Sequence, residues 1–173
     1  DVQAPRTGSQ DVQAPRTGSQ DVQASRGQDQ QATRLDTARK LIGEAEARKF
    51  WKAFQDNYIT REDLKFIKNA GFNSVRVPFS YRLFVSENNP QKLEGVGYEL
   101  LERVINWCRQ EGLYVILDMH AAPGGQTGDN IDDGFGYPFL FESAESQDLT
   151  AKIWRAIAAR YKNESVIIGY DLL

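Results

Sequence analysis

Cysteine is all but absent: Cys108 is the single one in 173 residues. That excludes an internal disulfide and any cysteine-rich zinc site. Cys108 itself falls on the apolar side of a helical pattern and reads as a small core residue, not a nucleophile. Long apolar runs are lacking too. None approaches the roughly 20 residues that cross a bilayer, so no membrane partner is expected. Neither charge sign dominates: 21 basic and 24 acidic residues are well mixed and give a net charge of −3. Such a balance leaves no electrostatic footprint for nucleic acid or an anionic membrane. No signal-peptide pattern opens the chain, and its first residue is Asp, not Met. The true start is therefore expected upstream.

What is present suits one packed domain: 40% hydrophobic and 11% aromatic residues over 173 positions. The decapeptide DVQAPRTGSQ occurs twice, at 1–10 and 11–20, and DVQASRGQDQ at 21–30 is a decayed third copy. Each copy offers one Val and one Ala for burial, and ten residues are too few for a solenoid unit. Residues 1–32 are expected to be a disordered tandem-repeat tail, and 33–173 the folded part.

From residue 33 the pattern becomes periodic. Ala47, Phe50, Trp51, Phe54 and Tyr58 fall at helical spacing, predicting a helix over 36–56 whose aromatic stripe faces the core. Thr60 followed by Asp63 resembles a capping box, starting a helix that buries Leu64 and Ile67 and stops at Gly71. NSVRVPF (73–79) reads as a strand ended by its proline. A further helix buries Leu100, Leu101, Val104, Ile105 and Cys108 and stops at Gly112. LYVILDM (113–119) is a strand of the kind covered on both faces. A glycine-rich loop over 120–145 follows, then a helix burying Leu149, Ile153, Trp154, Ile157 and Tyr161, and a last strand over 165–172. The order α-α-β-α-β-α-β implies parallel strands with right-handed crossovers. Two architectures fit it: an open doubly wound sheet, or part of a (β/α)8 barrel.

Chemistry-bearing residues gather near the carboxyl ends of the strands, where either architecture binds ligands. If Val75 and Val77 face the helices, Arg76 faces the other way. If Val115, Leu117 and Met119 do so, Asp118 and His120 point the other way as well. Arg76 and His120, the chain's only histidine, then meet on one concave surface. Gly124, Gly125 and Gly128 are not followed by Lys-Ser/Thr and open no helix, which counts against nucleotide binding. Asp129, Asp132 and Asp133 lack calcium-loop spacing and a closing Glu, and read as a solvated polar loop. Phe135, Tyr137, Phe139 and Phe141 make the loop aromatic enough to stack on the apolar C–H faces of sugar rings. The alternative is that some of these rings only pin the loop.

Three stretches together carry a resemblance: FWKAFQDNYITREDLKFIKNAGFNSVRVPFSY, VILDMHAAPGGQTGDN and IWRAIAARYKNESVIIGYDLL. In order and spacing they resemble the front half of glycoside hydrolase family 5, the cellulase-like (β/α)8 TIM barrels that include endoglucanases and exo-β-1,3-glucanases. HAAPGGQTG is most similar to the β-glucanase branch. The resemblance implies an incomplete barrel, with the strands at 73, 113 and 166 as its second, third and fourth. It implies Arg76 and His120 as active-site support and Asn130, Phe135 and Tyr137 as substrate-binding residues. It further implies a β-glucan substrate, an extracellular or cell-surface location, a monomeric complete enzyme, and neither cofactor nor metal. In the family, the stretch resembling GYDLL runs directly into Asn-Glu-Pro, whose Glu is the general acid/base; a later strand supplies the nucleophile. Both carboxylates are expected beyond Leu173, and the 173 residues alone are expected to be inactive or, alternatively, a non-catalytic carbohydrate-binding remnant. Glu142, Glu145 and Glu164 are not substitutes: the first two sit in the loop or at a helix start, and Glu164 precedes its strand.

Overall fold

Helix α1 (Glu44–Tyr58) leads into α2 (Arg61–Asn69), whose start is fixed by a reciprocal cap. The Asp63 amide donates to Thr60 Oγ1, and the Asp63 carboxylate accepts from the Thr60 amide at 2.8 Å. The Thr60 hydroxyl, which donates to the Asp63 carboxylate at 2.8 Å, and then the Thr60 amide hold the Asp63 carboxyl below its ordinary range. The computed structural model describes residues 37–86, 89–129, 131–132, 134 and 136–173, so the expected repeat tail lies outside the described residues. Beyond α2 run β1 (Ser74–Ser80), α3 (Gly97–Glu111), β2 (Tyr114–Ala121), α4 (Ala144–Tyr161) and β3 (Ile167–Asp171). Short 3-10 turns at Tyr81–Leu83 and Phe139–Phe141 follow β1 and β2.

The three strands form a parallel sheet in the order β1-β2-β3. Strand parity decides what each face sees. Val77, Phe79, Val115, Leu117 and Met119 are buried against the helices. Leu101, Val104, Ile105 and Cys108 of α3 and Leu149, Ile153, Trp154, Ile157 and Tyr161 of α4 meet them there. Cys108 has no exposed surface, and burial pushes its thiol up to about 11, which suits a packing residue and not a nucleophile. Gly112 takes the left-handed cap (φ 67°) that ends α3. Arg61 of α2 pairs with Glu111 of α3, and Lys68 donates to the Gly112 carbonyl, tying the two helices together.

Three expectations are corrected. The helix predicted over 36–56 is broken at Gly43, whose φ of 79° no helix accommodates. Pro78 lies within β1, paired with Asp118, and does not end it. β1 is an edge strand among the described residues, and an edge tolerates a residue without an N–H. The aromatic stripe of α1 is not core: Phe50, Phe54 and Tyr58 are 53%, 46% and 71% exposed, and only Ala47 is fully buried. α1 is held instead through its polar side. Arg103 of α3 donates to the Asp56 carboxylate and the Gln55 carbonyl while lying over the Trp107 ring.

Candidate active site

On the sheet face opposite the helices, three charged side chains and an imidazole converge. Arg76 comes from β1, Asp118 and His120 from β2, and Asp171 from β3. The register explains the meeting: Asp118 is opposite Pro78 on one side and Asp171 on the other, with Arg76 two residues back along β1. Arg76 is therefore mid-strand, not at the carboxyl end as expected, and its long side chain makes up the difference. Its Nη2 lies 3.1 Å from Asp118 Oδ2 and its Nε donates to Asp171 Oδ2 at 3.1 Å. His120 Nδ1 stands 3.2 Å from the same Asp118 oxygen and 3.5 Å from Arg76 Nη2.

Asp118 is the one fully buried charged residue among those described. Its contacts with Arg76 and His120 are at ion-pair distance but off-axis, so neither carboxylate oxygen has an aligned hydrogen bond. Burial raises the Asp118 carboxyl above its ordinary value; Arg76 and then His120 pull it back, and the charge of Asp171 adds to the rise. The folded state thus holds this proton more tightly than the unfolded chain. The stabilisation it brings is complete below the unfolded value of 3.8 and is lost as pH rises through the folded one. At neutral pH the ionised group is a burden. Asp118→Asn should therefore stabilise the chain by about 1 to 2 kcal/mol at pH 7, because the charge is removed from a dry site while Arg76 keeps Asp171. The advantage should vanish near pH 3.5, which urea melts at the two pH values would show.

The loop leaving β2 is internally bonded. Gln126 accepts from the Ala122 amide at 2.9 Å and donates to the Met119 and His120 carbonyls. Asp132 accepts from the amides of Gln126, Thr127 and Gly134. The expectation of a solvated aspartate loop fails at Asp132: its carboxylate is the loop's organiser, filling lone pairs that water would otherwise take. Among the described residues no His, Cys, Asp and Glu group is arranged to hold a metal ion. Leu140, buried in the core, pins the loop, while Phe141 next to it is 58% exposed.

Of the residues expected to contact substrate, Asn130 and Phe135 lie outside the described residues. Tyr137 is exposed, and its hydroxyl donates to Glu142, which raises the phenol above its ordinary range. The other two loop and strand-entry glutamates are occupied as well. Glu145 accepts from Gln91 at 2.9 Å, and Glu164 pairs with Arg109 while capping the Val166 amide at the amino end of β3. Asp171 is the site residue that sequence reasoning missed. The signal was there: two residues on from Gly169, in the last strand, it has the parity that brings it level with Asp118.

The pattern of the family described as Cellulase (glycosyl hydrolase family 5) matches residues 27–173. The chain belongs to glycosyl hydrolase family 5. A beta-xylosidase of Phanerodontia chrysosporium is 35% identical over 134 residues, 77% of this chain and 28% of that protein. Endoglucanase C of Acetivibrio thermocellus is 37% identical over 72% of this chain and 35% of its own length. A glucan 1,3-beta-glucosidase of Candida oleophila is 32% identical over 85% of this chain and 35% of its own. The chain thus spans about a third of the length of the curated relatives it matches. A glycoside hydrolase crystal structure aligns at a TM-score of 0.52 and 27% identity, covering 65% of this chain and 33% of that one. The rutinosidase of Aspergillus niger aligns at 0.57 and 17% identity over 66% and 33%, a likeness of fold alone. The three-stranded parallel sheet with its helices is accordingly part of a family 5 barrel, and the Arg76 cluster lies on its inner face.

Proposed function

We propose that these residues are the front part of a retaining hydrolase of β-glucans, with Arg76 and His120 supporting the reaction and binding sugar. The observation that carries this reading is the cluster itself: a half-exposed guanidinium and imidazole held in place by a buried carboxylate on the concave face of a family 5 sheet. Asn130, Phe135 and Tyr137 belong to the same proposal as sugar-contacting residues of the loop after β2. So does an extracellular or cell-surface location; no helix among the described residues is long and apolar enough to cross a membrane.

Retaining hydrolysis needs two carboxyl groups roughly 5 Å apart, one attacking the anomeric carbon and one protonating the leaving oxygen. Neither Asp118 nor Asp171 suits these steps. Asp118 has no exposed surface with which to reach a sugar, and both are committed to Arg76. The catalytic pair is proposed to come from sequence following Leu173. The 173-residue chain should then release no reducing sugar from β-1,3- or β-1,4-glucan above background. A chain extended through the following barrel strands should do so, with retention of configuration and undiminished by chelators. Release of sugar by the 173 residues alone, abolished by Arg76→Ala, would overturn the reading. Glucan binding without hydrolysis in the extended protein would favour a carbohydrate-binding role.

A further inference from the structure

Asn163-Glu164-Ser165 is the one Asn-x-Ser/Thr triplet in the 173 residues, the acceptor pattern for N-linked oligosaccharide. Such a triplet also arises by chance, so its place in the fold decides. It lies in the turn between α4, which ends at Tyr161, and β3, which starts at Ile167. Asn163 and Ser165 are exposed, and Glu164 between them is half-buried. The turn is closed through Glu164. Its amide donates to the Tyr161 carbonyl, and its carbonyl accepts from the Ile167 amide. Its carboxylate pairs with Arg109 and accepts from the Val166 amide. None of these bonds uses the Asn163 carboxamide or the Ser165 hydroxyl. Nor does Asn163 serve as a left-handed cap, a common reason for asparagine after a helix, because no described residue other than glycine has a positive φ. Asn106-Trp107-Cys108, the rarer cysteine form of the pattern, is the opposite case: it lies inside α3, and Cys108 has no exposed surface.

We propose that Asn163 is an N-glycosylation site. The step is a group transfer without redox change, from a polyprenyl-diphosphate-linked oligosaccharide. The Asn163 carboxamide nitrogen bonds to the anomeric carbon, the bond from that carbon to the diphosphate breaks, the diphosphate leaves with the electron pair, and the nitrogen loses one proton. Transfer takes place on the extended chain; the exposure of Asn163 is what lets the fold form afterwards with the sugar attached. The turn is at the amino end of β3, whereas Asp171 and the Arg76 cluster are at the other end, four residues and about 13 Å of strand beyond Ile167. The oligosaccharide therefore projects from the end of the barrel away from the concave face and leaves that face open. Glu164 is acidic and the donor carries a diphosphate, so occupancy is expected to be partial. That the natural protein meets such a transferase rests on the extracellular reading above; the competence of the turn as an acceptor does not.

The complete protein, this chain with the barrel sequence that follows it, is to be secreted from yeast behind a supplied leader. N-glycans are removed by amidase in H2 18O, which turns a glycosylated asparagine into 18O-labelled aspartate. Chymotrypsin then cuts after Tyr161 and Tyr170 and frees KNESVIIGY for mass spectrometry. The label should appear at position 163 in part of this peptide. Ser165→Ala, which leaves the bonds of the turn untouched, should abolish it. Ser165→Thr, whose methyl restricts the hydroxyl, should raise the labelled fraction. Reading the cell-retained fraction beside the secreted one keeps the test valid for a variant that does not fold. An unlabelled peptide from both the parent and Ser165→Thr, or a label that survives Ser165→Ala, overturns the proposal. The leader is supplied, so that result leaves the extracellular reading standing, and a protein that naturally stays inside the cell leaves the acceptor turn standing.

Discussion

Replacing Phe84 with alanine should cost about 3 to 5 kcal/mol of folding stability, the scale for truncating a fully buried aromatic ring. Phe84 has no exposed surface. Its ring meets Phe79 edge-on at 5.1 Å and Tyr98 at 5.1 Å, so it links β1 to α3, and Phe79 carries the chain of contacts on to Trp154 of α4. Two glycines make room, one for the ring and one for the backbone that carries it. A Cβ at Gly97 would stand 2.8 Å from the Phe84 ring, and one at Gly95 would stand 2.0 Å from the Leu83 carbonyl oxygen. A segment shaped this closely around one ring cannot collapse into the space that alanine leaves. Against a typical total of about 5 to 15 kcal/mol, the loss is large. Urea unfolding of the variant checks it, with Tyr58→Ala as the exposed aromatic control expected within about 0.5 kcal/mol of the parent. A Phe84→Ala change under 1.5 kcal/mol would mean that the segment after β1 is not part of the cooperative core.

In the catalytically complete enzyme, Arg76→Ala should lower kcat/KM by roughly thirty- to a thousandfold, equivalent to about 2 to 4 kcal/mol of transition-state stabilisation. The guanidinium is pre-set: Nε on Asp171 and Nη2 on Asp118 fix its plane before any ligand arrives. A fixed cation on a concave face needs no reorganisation when negative charge shifts during reaction, and that is where its advantage over water lies. His120→Ala should cost less, with a larger share appearing in KM. A fall of less than threefold for Arg76→Ala would show that the cluster holds the sheet together and takes no part in the chemistry.

Helices α3 and α4 were legible because their apolar residues keep a strict helical period. Every residue expected on the inward face of α4 is buried there. The sheet face was legible for a similar reason: parity alone put Arg76, Asp118 and His120 together. What parity could not give was depth along the strands. Asp171 was overlooked because its partner is set by a register shift between β2 and β3. The aromatic stripe of α1 misled because periodicity says which residues share a face, never whether anything covers that face. Phe84 went unnoticed for the opposite reason: it sits in an irregular segment, where burial leaves no period to read.

The spatial order β1-β2-β3 is also the order of synthesis. Each strand that emerges finds its neighbour already made and adds to that strand's open edge, while the helix just completed folds back over the apolar side. No strand has to be inserted between two others, and no earlier pairing has to be undone. A nascent chain can therefore lay down this wall progressively, with Asp171 arriving last to take Arg76, so that the charge cluster closes only once the third strand has docked.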